Sequence, residues 1–375
     1  MIVFQKSITN VSDLSSIQMD FEPDVFFLFV SPTFEDKEEF VKRLHEGHPT
    51  AIKFGCSTSG EIIGDQVTDG TVALTAVKFE KTALEFVEVD LEKVKGDSFE
   101  AGKSISAQLN KPSLRHIFIL SDGLNVNGAD LVKGLHDDIP ESVSITGGLA
   151  GDGSDFGNTF LVNNDKVESK KIIGLGLYGD DLKIGFGSKG GWDSFGVERL
   201  VTRSDNNVLF ELDGKPALEL YKSFLGEKAK DLPGSGLLFP LSMRDDDNKT
   251  PVVRTILAVD EKDQSLTFAG NIPEGSYVRL MKANVDRIIN GAEQSAEISK
   301  NVIGEDSELA ILISCVGRRL VLKQMVEEEV EAVNEVLGGQ VKTTGFYSYG
   351  EIAPFDKFTP CALHNQTMTI TTLSE

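Results

Sequence analysis

Apolar runs that break at a serine occur three times along the chain, at residues 26–31 (FFLFVS), 117–121 (IFILS) and 310–314 (AILIS). Uninterrupted apolar stretches of this length predict strands buried on both faces. A charged segment of helical period follows; in 34–45 (FEDKEEFVKRLH), Phe34, Phe40, Val41 and Leu44 fall near one face. Each unit closes with a second run that enters a glycine-rich turn: GCSTSGEI from Gly55, TGGLAGDG from Thr146 and TGFYSYGEI from Thr344. Three copies of one turn predict a shared rim around a common hollow, and rims at strand ends are where α/β proteins hold ligands.

Between the repeats, alternation predicts a hairpin of 71–79 with 83–91 around Glu80-Lys81-Thr82, helices over 99–109 and 128–136, and a meander of 159–162, 172–178 and 182–186. Beyond Gly191-Trp192 it predicts extended chain over 193–203. A short helix follows over 216–224, opened by Pro216 where the missing N–H costs nothing. A second hairpin (252–259 with 265–269), a helix over 284–300 and a long helix over 319–337 precede the last turn. Helices interspersed with hairpins predict a mixed α/β (α+β) fold, with mixed sheets flanked by helices. A length of 375 residues exceeds what one core usually serves, so two domains are expected, 1–198 and 199–375.

Charge and cysteine content then exclude classes. With 59 acidic and 37 basic residues the formal net charge is -22, which opposes nucleic acid and anionic membrane surfaces. The densest basic sites are only the pairs Lys170-Lys171 and Arg318-Arg319. Cys56, Cys315 and Cys361 are an odd number in a large chain, which argues against a disulfide framework and for a reducing cytoplasm. No window approaches the roughly 18 apolar residues of a membrane span, and the first residues lack a secretory pattern. A cytoplasmic protein is the expectation.

Single motifs carry little chemistry. Two G-x-G-x-x-G matches, at Gly174 and at Gly185, are followed by strand-like or loop sequence, not the helix a dinucleotide site requires. Cys56 at its corner would need a histidine base to act as a nucleophile; small residues packed in a tight turn are the simpler reading. The five histidines show no zinc spacing. Among them His364, in CALHNQT, could ligate a haem iron, which needs only one protein ligand. Arg254 and Arg318 lie in apolar surroundings, where a guanidinium must pair or face a ligand anion. Glu61 and Glu351 are their expected partners.

The ordered set GCSTSGEI, GGLAGDG, YKSFLG, VVRTILAVD with FAGNIPEGS, SCVGRR, and FYSYGEIAPF with LHNQT resembles the FIST family of bacterial signal-transduction proteins. The resemblance covers most of the chain and implies an amino-terminal and a carboxy-terminal FIST domain. It further implies a sensory role with small ligands, amino-acid-like molecules among them. The resemblance extends to some stand-alone members of about this size, which are haem proteins that sense nitric oxide and modulate a partner histidine kinase. Cys56, Glu61, Asp152, Arg254, Arg318, Tyr347, Glu351, His364 and Asn365 fall on these motifs as candidate ligand-binding positions, with His364 the haem-iron candidate and no catalytic residue assigned. Three readings stay open: a haem-based nitric oxide sensor, an amino-acid-like or carboxylate sensor without haem that uses Arg254 or Arg318 as its clamp, and a cysteine-dependent enzyme. In the first two the signal passes to another protein.

Overall fold

A computed structural model describes residues 1–244, 251–304 and 307–375, and its strands form three copies of one unit plus an inserted sheet. The first unit runs β1 (Ile2–Ile8), β2 (Val25–Val30), α1 (Lys37–Gly47) and β3 (Ile52–Ser57). A hairpin of β4 (Glu61–Ile63) and β5 (Gln66–Thr68) follows, then β6 (Val72–Lys78). The second repeats this grammar with β7 (Ala83–Asp90), α2 (Ser98–Leu109), β8 (Leu114–Ser121), α3 (Gly128–His136) and β9 (Ser144–Leu149). Its hairpin is β10 (Leu161–Asn163) with β11 (Lys166–Glu168), and it ends on β12 (Lys171–Tyr178).

The third unit opens with β13 (Lys183–Lys189) and is then interrupted. The insertion comprises β14 (Asp193–Asp205), β15 (Val208–Leu212), β16 (Lys215–Pro216), α4 (Ala217–Leu225) and β17 (Leu241–Arg244). It continues through β18 (Val252–Arg254), β19 (Ile256–Asp260), β20 (Ser265–Phe268) and β21 (Tyr277–Lys282). The unit resumes with α5 (Val285–Ile303), β22 (Leu309–Cys315), α6 (Val316–Leu322), α7 (Val326–Leu337) and β23 (Lys342–Ser348). It closes with β24 (Gly350–Ala353), β25 (Ala362–His364) and β26 (Met368–Ser374).

In every unit the strands either side of the crossover helix are parallel: β2 with β3, β8 with β9, β22 with β23. A parallel pair needs such a crossover, whereas antiparallel neighbours need only a turn. The final strand returns antiparallel, β6 on β2, β12 on β8 and β26 on β22. The hairpins leave their own units. β4 pairs with β23, β10 with β3 and β24 with β9, so each covers the free edge of a neighbour and closes the sheets into a ring.

The three ends of the apolar runs meet inside this ring. Phe29 stacks on Phe346 with ring centroids 4.8 Å apart, and Phe27 meets Phe118 edge-on at 5.9 Å. Leu120, Ile311 and Ile313 complete the same cluster. Gly55, Gly147 and Gly345 occupy one equivalent place: a Cβ there would lie 2.0, 1.8 and 1.9 Å from the carbonyl oxygens of Leu28, Ile119 and Leu312. The parallel strands approach too closely at that point for any side chain. Helix starts follow the local chemistry, with Asp97 and Asn127 accepting from the first free N–H groups of α2 and α3.

The mixed architecture is as expected, but several local pairings are not. The segments 71–79 and 83–91 do not form a hairpin: β6 and β7 lie in different sheets. The meander is likewise replaced by β10, β12 and β13 in three separate sheets. Local alternation identified these strands, but a unit boundary separates β6 from β7 and β12 from β13, so β7 pairs with β12 and β13 with β26, while β10 is exchanged onto β3. The long helix over 319–337 is two helices broken at Lys323, whose φ is +53°. The expected boundary at 198/199 falls inside β14, and β13, on its amino-terminal side, pairs with β26 near the chain's end. Among the described residues, no helix is long and apolar enough to cross a membrane.

Candidate functional site

The glycine-rich corners do converge. Ser59 N–H donates to Tyr347 O at 2.7 Å, Tyr347 N–H to Gly60 O at 2.9 Å, and Gly151 N–H to Ser57 O at 3.0 Å. What they enclose is packed. Cys56 and Phe346 are fully buried in the central cluster, so its side chains fill the expected hollow, while Tyr347 is buried in a separate cluster toward α7. Burial pushes the Cys56 and Cys315 thiols well up, which disfavours the thiolate a nucleophile requires. Asp152 is occupied by the N–H groups of Gly157 and Asn158, both at 2.7 Å, and by the Tyr349 hydroxyl.

Glu61 and Glu351 hold the same place in two units. Glu61 accepts from the hydroxyl of Thr58 and from Thr71 N–H and Oγ1 at 3.2 and 3.0 Å. Glu351 accepts from Ser348 Oγ at 2.8 Å and from Thr367 N–H and Oγ1 at 3.1 and 2.9 Å. Burial raises Glu61 to about 7 and Glu351 to about 8, because neutral donors only partly replace lost hydration. Neither is the partner of a buried arginine.

Arg318 instead pairs with Glu329, through Nη2 at 2.6 Å and Nε at 3.0 Å, both side chains being fully buried. Glu329 also accepts from Ser314 Oγ at 3.0 Å and Tyr347 Oη at 2.6 Å. This is an internal pin between α6, α7 and the sheet. Arg254 spends its donors on the carbonyls of Leu363 (3.0 Å), Asn271 (3.2 Å) and Val253 (3.3 Å), fastening the inserted sheet to β25. Burial lowers its guanidinium to about 10. Asn365 belongs to the same seam, accepting from Thr255 N–H at 3.3 Å and donating to Tyr349 O at 3.4 Å. Both arginines are therefore committed to protein partners.

His364 Nε2 donates to Ala353 O at 2.7 Å, and its ring lies 4.1 Å from that of Phe355. Its Nδ1 has no partner among the described residues, and burial lowers the imidazole to about 4. An unpartnered imidazole nitrogen is chemically suited to a metal, but the ring is 1% exposed. The surroundings do not fit a haem in this arrangement. Among the described residues, no group of three or more His, Cys, Asp or Glu side chains could hold a metal ion.

An open site lies where the three-fold pattern is broken. At equivalent positions of β1, β7 and β13 stand Gln5, Phe86 and Phe186, each facing a neighbouring sheet. Gln5 closes the first junction by donating to Thr343 O at 3.0 Å. Phe86 closes the second against Phe54, 6.3 Å between centroids, beside a hydrogen bond from Asn163 to Glu88. At these junctions the exchanged hairpins turn in two residues, 64–65 and 164–165. The third hairpin, β24–β25, carries residues 354–361 (PFDKFTPC) in place of that turn, and the junction stays open.

The result is a cleft of about 880 Å³. Its apolar lining includes Ile145 of β9, Ile184 and Phe186 of β13, and Leu182 just before β13. Arg115, Glu141, Ser142 and Lys357 supply polar groups, with His136 at the rim. Arg115 gives Nη2–H to Asp180 at 2.7 Å, and Lys357 lies over the Phe358 ring at 4.9 Å. None of these was singled out from sequence. The available signal was the length of the segment between Glu351 and His364, set against the short turns of the other repeats. A second, apolar slot of only about 40 Å³ lies in the inserted sheet beside Phe195, Tyr221 and Phe224.

Comparison with known proteins places two family models on the chain, the FIST N domain over residues 24–215 and the FIST C domain over 217–354. The uncharacterized protein MJ1623 of Methanocaldococcus jannaschii is 24% identical over 307 residues, covering 74% of this chain. The match spans 57% of that relative's length. Among solved structures, a chorismatase aligns with 100% of this chain and 98% of its own at a TM-score of 0.36 and 8% identity. A cyanuric acid hydrolase from A. caulinodans aligns with 100% and 99% at the same score and identity. Likeness at that level carries no argument about activity.

Proposed function

Carrying both domains, the chain belongs to the FIST family, whose domains bind small ligands in signal transduction, and from this premise we propose that its ligand occupies the cleft beside residues 354–361. The broken symmetry carries the reading. Two of three equivalent junctions are sealed by side chains, and the third is held open by an enlarged connection. A volume of about 880 Å³ lies within the range of about 300–1,000 Å³ typical of small-molecule sites. Of the rim residues proposed from sequence, Glu351 and His364 flank this connection on β24 and β25. A ligand need only favour one arrangement of the connection to bias a surface read by a partner protein, and a histidine kinase is the partner the family resemblance suggests.

A thermal-shift screen against small metabolites tests the reading. A ligand present at 100 times its Kd should stabilise the fold by about 2.7 kcal/mol. Ser142→Trp, at an exposed position on the cleft wall, should abolish that shift without changing the melting temperature of the free protein. The absence of any hit at millimolar concentration, or hits indifferent to Ser142→Trp, would count against the cleft.

Haem-based nitric oxide sensing is the narrower alternative. Only the unpartnered Nδ1 of His364 favours it, and the packing around that ring opposes it. Titration with haemin followed by absorbance decides between them: a Soret shift that disappears in His364→Ala would restore the haem reading. The carboxylate reading survives in altered form, with the anion site moved away from Arg254 and Arg318.

A further inference from the structure

The lining of the cleft narrows the chemistry of its occupant. Resting on the cleft reading above, we infer that the ligand is an amphipathic organic anion: an acidic head group attached to an apolar body larger than a single amino acid. The formal net charge of the chain is -22, yet the charged residues lining this cleft are Arg115 and Lys357 against Glu141. With Asp180 also set against Arg115, the cleft is locally balanced in an otherwise acidic molecule, so an anion is repelled less there than elsewhere on the surface. Among the described residues, Arg115 engages one guanidinium nitrogen with the exposed Asp180, leaving the rest of the planar fork for a second carboxylate or phosphate. Lys357 is exposed on the connection 354–361 and adds a mobile point charge.

The apolar requirement comes from the other wall. Ile145, Leu182, Ile184 and Phe186 present hydrocarbon to the cleft, and Phe186 stands where Gln5 makes a hydrogen bond in the sealed first junction. A small, fully hydrated anion would leave this surface wet, whereas an apolar body covers it and gains the burial. The volume, near the upper end of the small-molecule range, is generous for one free amino acid.

The probe is 1-anilinonaphthalene-8-sulfonate, compared with its neutral relative N-phenyl-1-naphthylamine, on the full chain followed by fluorescence. The sulfonate should bind saturably and more tightly than the neutral amine. Arg115→Gln with Lys357→Gln should weaken it by roughly tenfold for each charge-assisted hydrogen bond removed and leave the neutral probe unchanged. Ser142→Trp should weaken both. Each variant should melt at the temperature of the parent, so that loss of binding is not loss of fold. If Ser142→Trp blocks both probes but the double glutamine variant leaves the sulfonate unaffected, the cleft stands and the anionic assignment falls. Equal affinity of the two probes has the same meaning. If Ser142→Trp affects neither, the cleft reading fails together with this inference, and no saturable sulfonate binding at all overturns the assignment outright.

Discussion

Glu351 illustrates how a buried side chain ties stability to pH. Its folded value of about 8 lies above the ordinary 4.5, so between those pH values the folded state holds a proton that the unfolded chain has lost. Stability therefore falls as pH rises through that window, by up to about 1.4 kcal/mol per unit for one group. Glu61 adds the same trend up to about 7. Relative to the parent, Glu351→Gln should gain stability progressively as pH rises from 5 to 8, measured by urea unfolding. The imidazoles of His116, His136 and His364, all lowered by desolvation, act in the opposite sense up to about pH 6.5, so a parent profile that rises between about pH 7 and 8 is the result that would contradict the assignment. Arg318 carries the opposite lesson. Its charge is matched by Glu329 in a fully buried pair, so Arg318→Met, which strands Glu329, should cost roughly 3–5 kcal/mol in the same assay. Replacement of both members by apolar residues should recover much of that loss.

At the scale of elements, the repeated corner depends on glycine. A Cβ at Gly345 would sit 1.9 Å from Leu312 O, and the parallel pair β22–β23 cannot open without disturbing β4 on its other side. Gly345→Ala should lower stability by about 3 kcal/mol. The glycine at the tip of the β4–β5 turn, Gly64, meets nothing within 4 Å but has φ of +63°. Alanine there should cost about 1 kcal/mol through backbone strain. Comparison of the two urea midpoints separates close approach from conformation. Strand existence was legible because β2, β8 and β22 are buried on both faces and must read as continuous apolar runs. Strand partners were legible where a tight local turn joins them, as β19 with β20 in the expected hairpin, and not where a hairpin is exchanged. A hairpin such as β4–β5 presents the same alternation whether it folds onto its own sheet or onto a neighbour's.

For the molecule as a whole, the ring of exchanged hairpins is a frame that can be closed at the remaining junction. The register pairs Ala353 directly with Ala362, the geometry a two-residue turn requires. Replacing residues 354–361 by Asn-Gly should therefore preserve the fold, since such a turn matches the strand twist. It should also eliminate the stabilisation produced by any cleft ligand. A shortened protein that keeps its ligand response would show that the ligand sits elsewhere. The seam formed by Arg254, Asn365 and His364 gives the cleft a mechanical neighbour. The chain that lines the cleft at Pro354 and Cys361 continues directly into Leu363, whose carbonyl holds Arg254 of the inserted sheet.

The amino-acid sequence by itself determined the repeated unit, the mixed α/β class and the burial of the glycine-rich corners' approach strands, because each is written in local composition and spacing, and its ordered motifs carried the resemblance to the family. Only the tertiary structure decided that those corners meet in a packed centre, that Arg318 belongs to Glu329, and that the open space lies at the β24–β25 connection. The reason is that partners and cavities are set by contacts between segments remote along the chain. Hairpin exchange brings Glu351 beside Gly148 and Phe186 toward Ile145, and no local pattern records that choice.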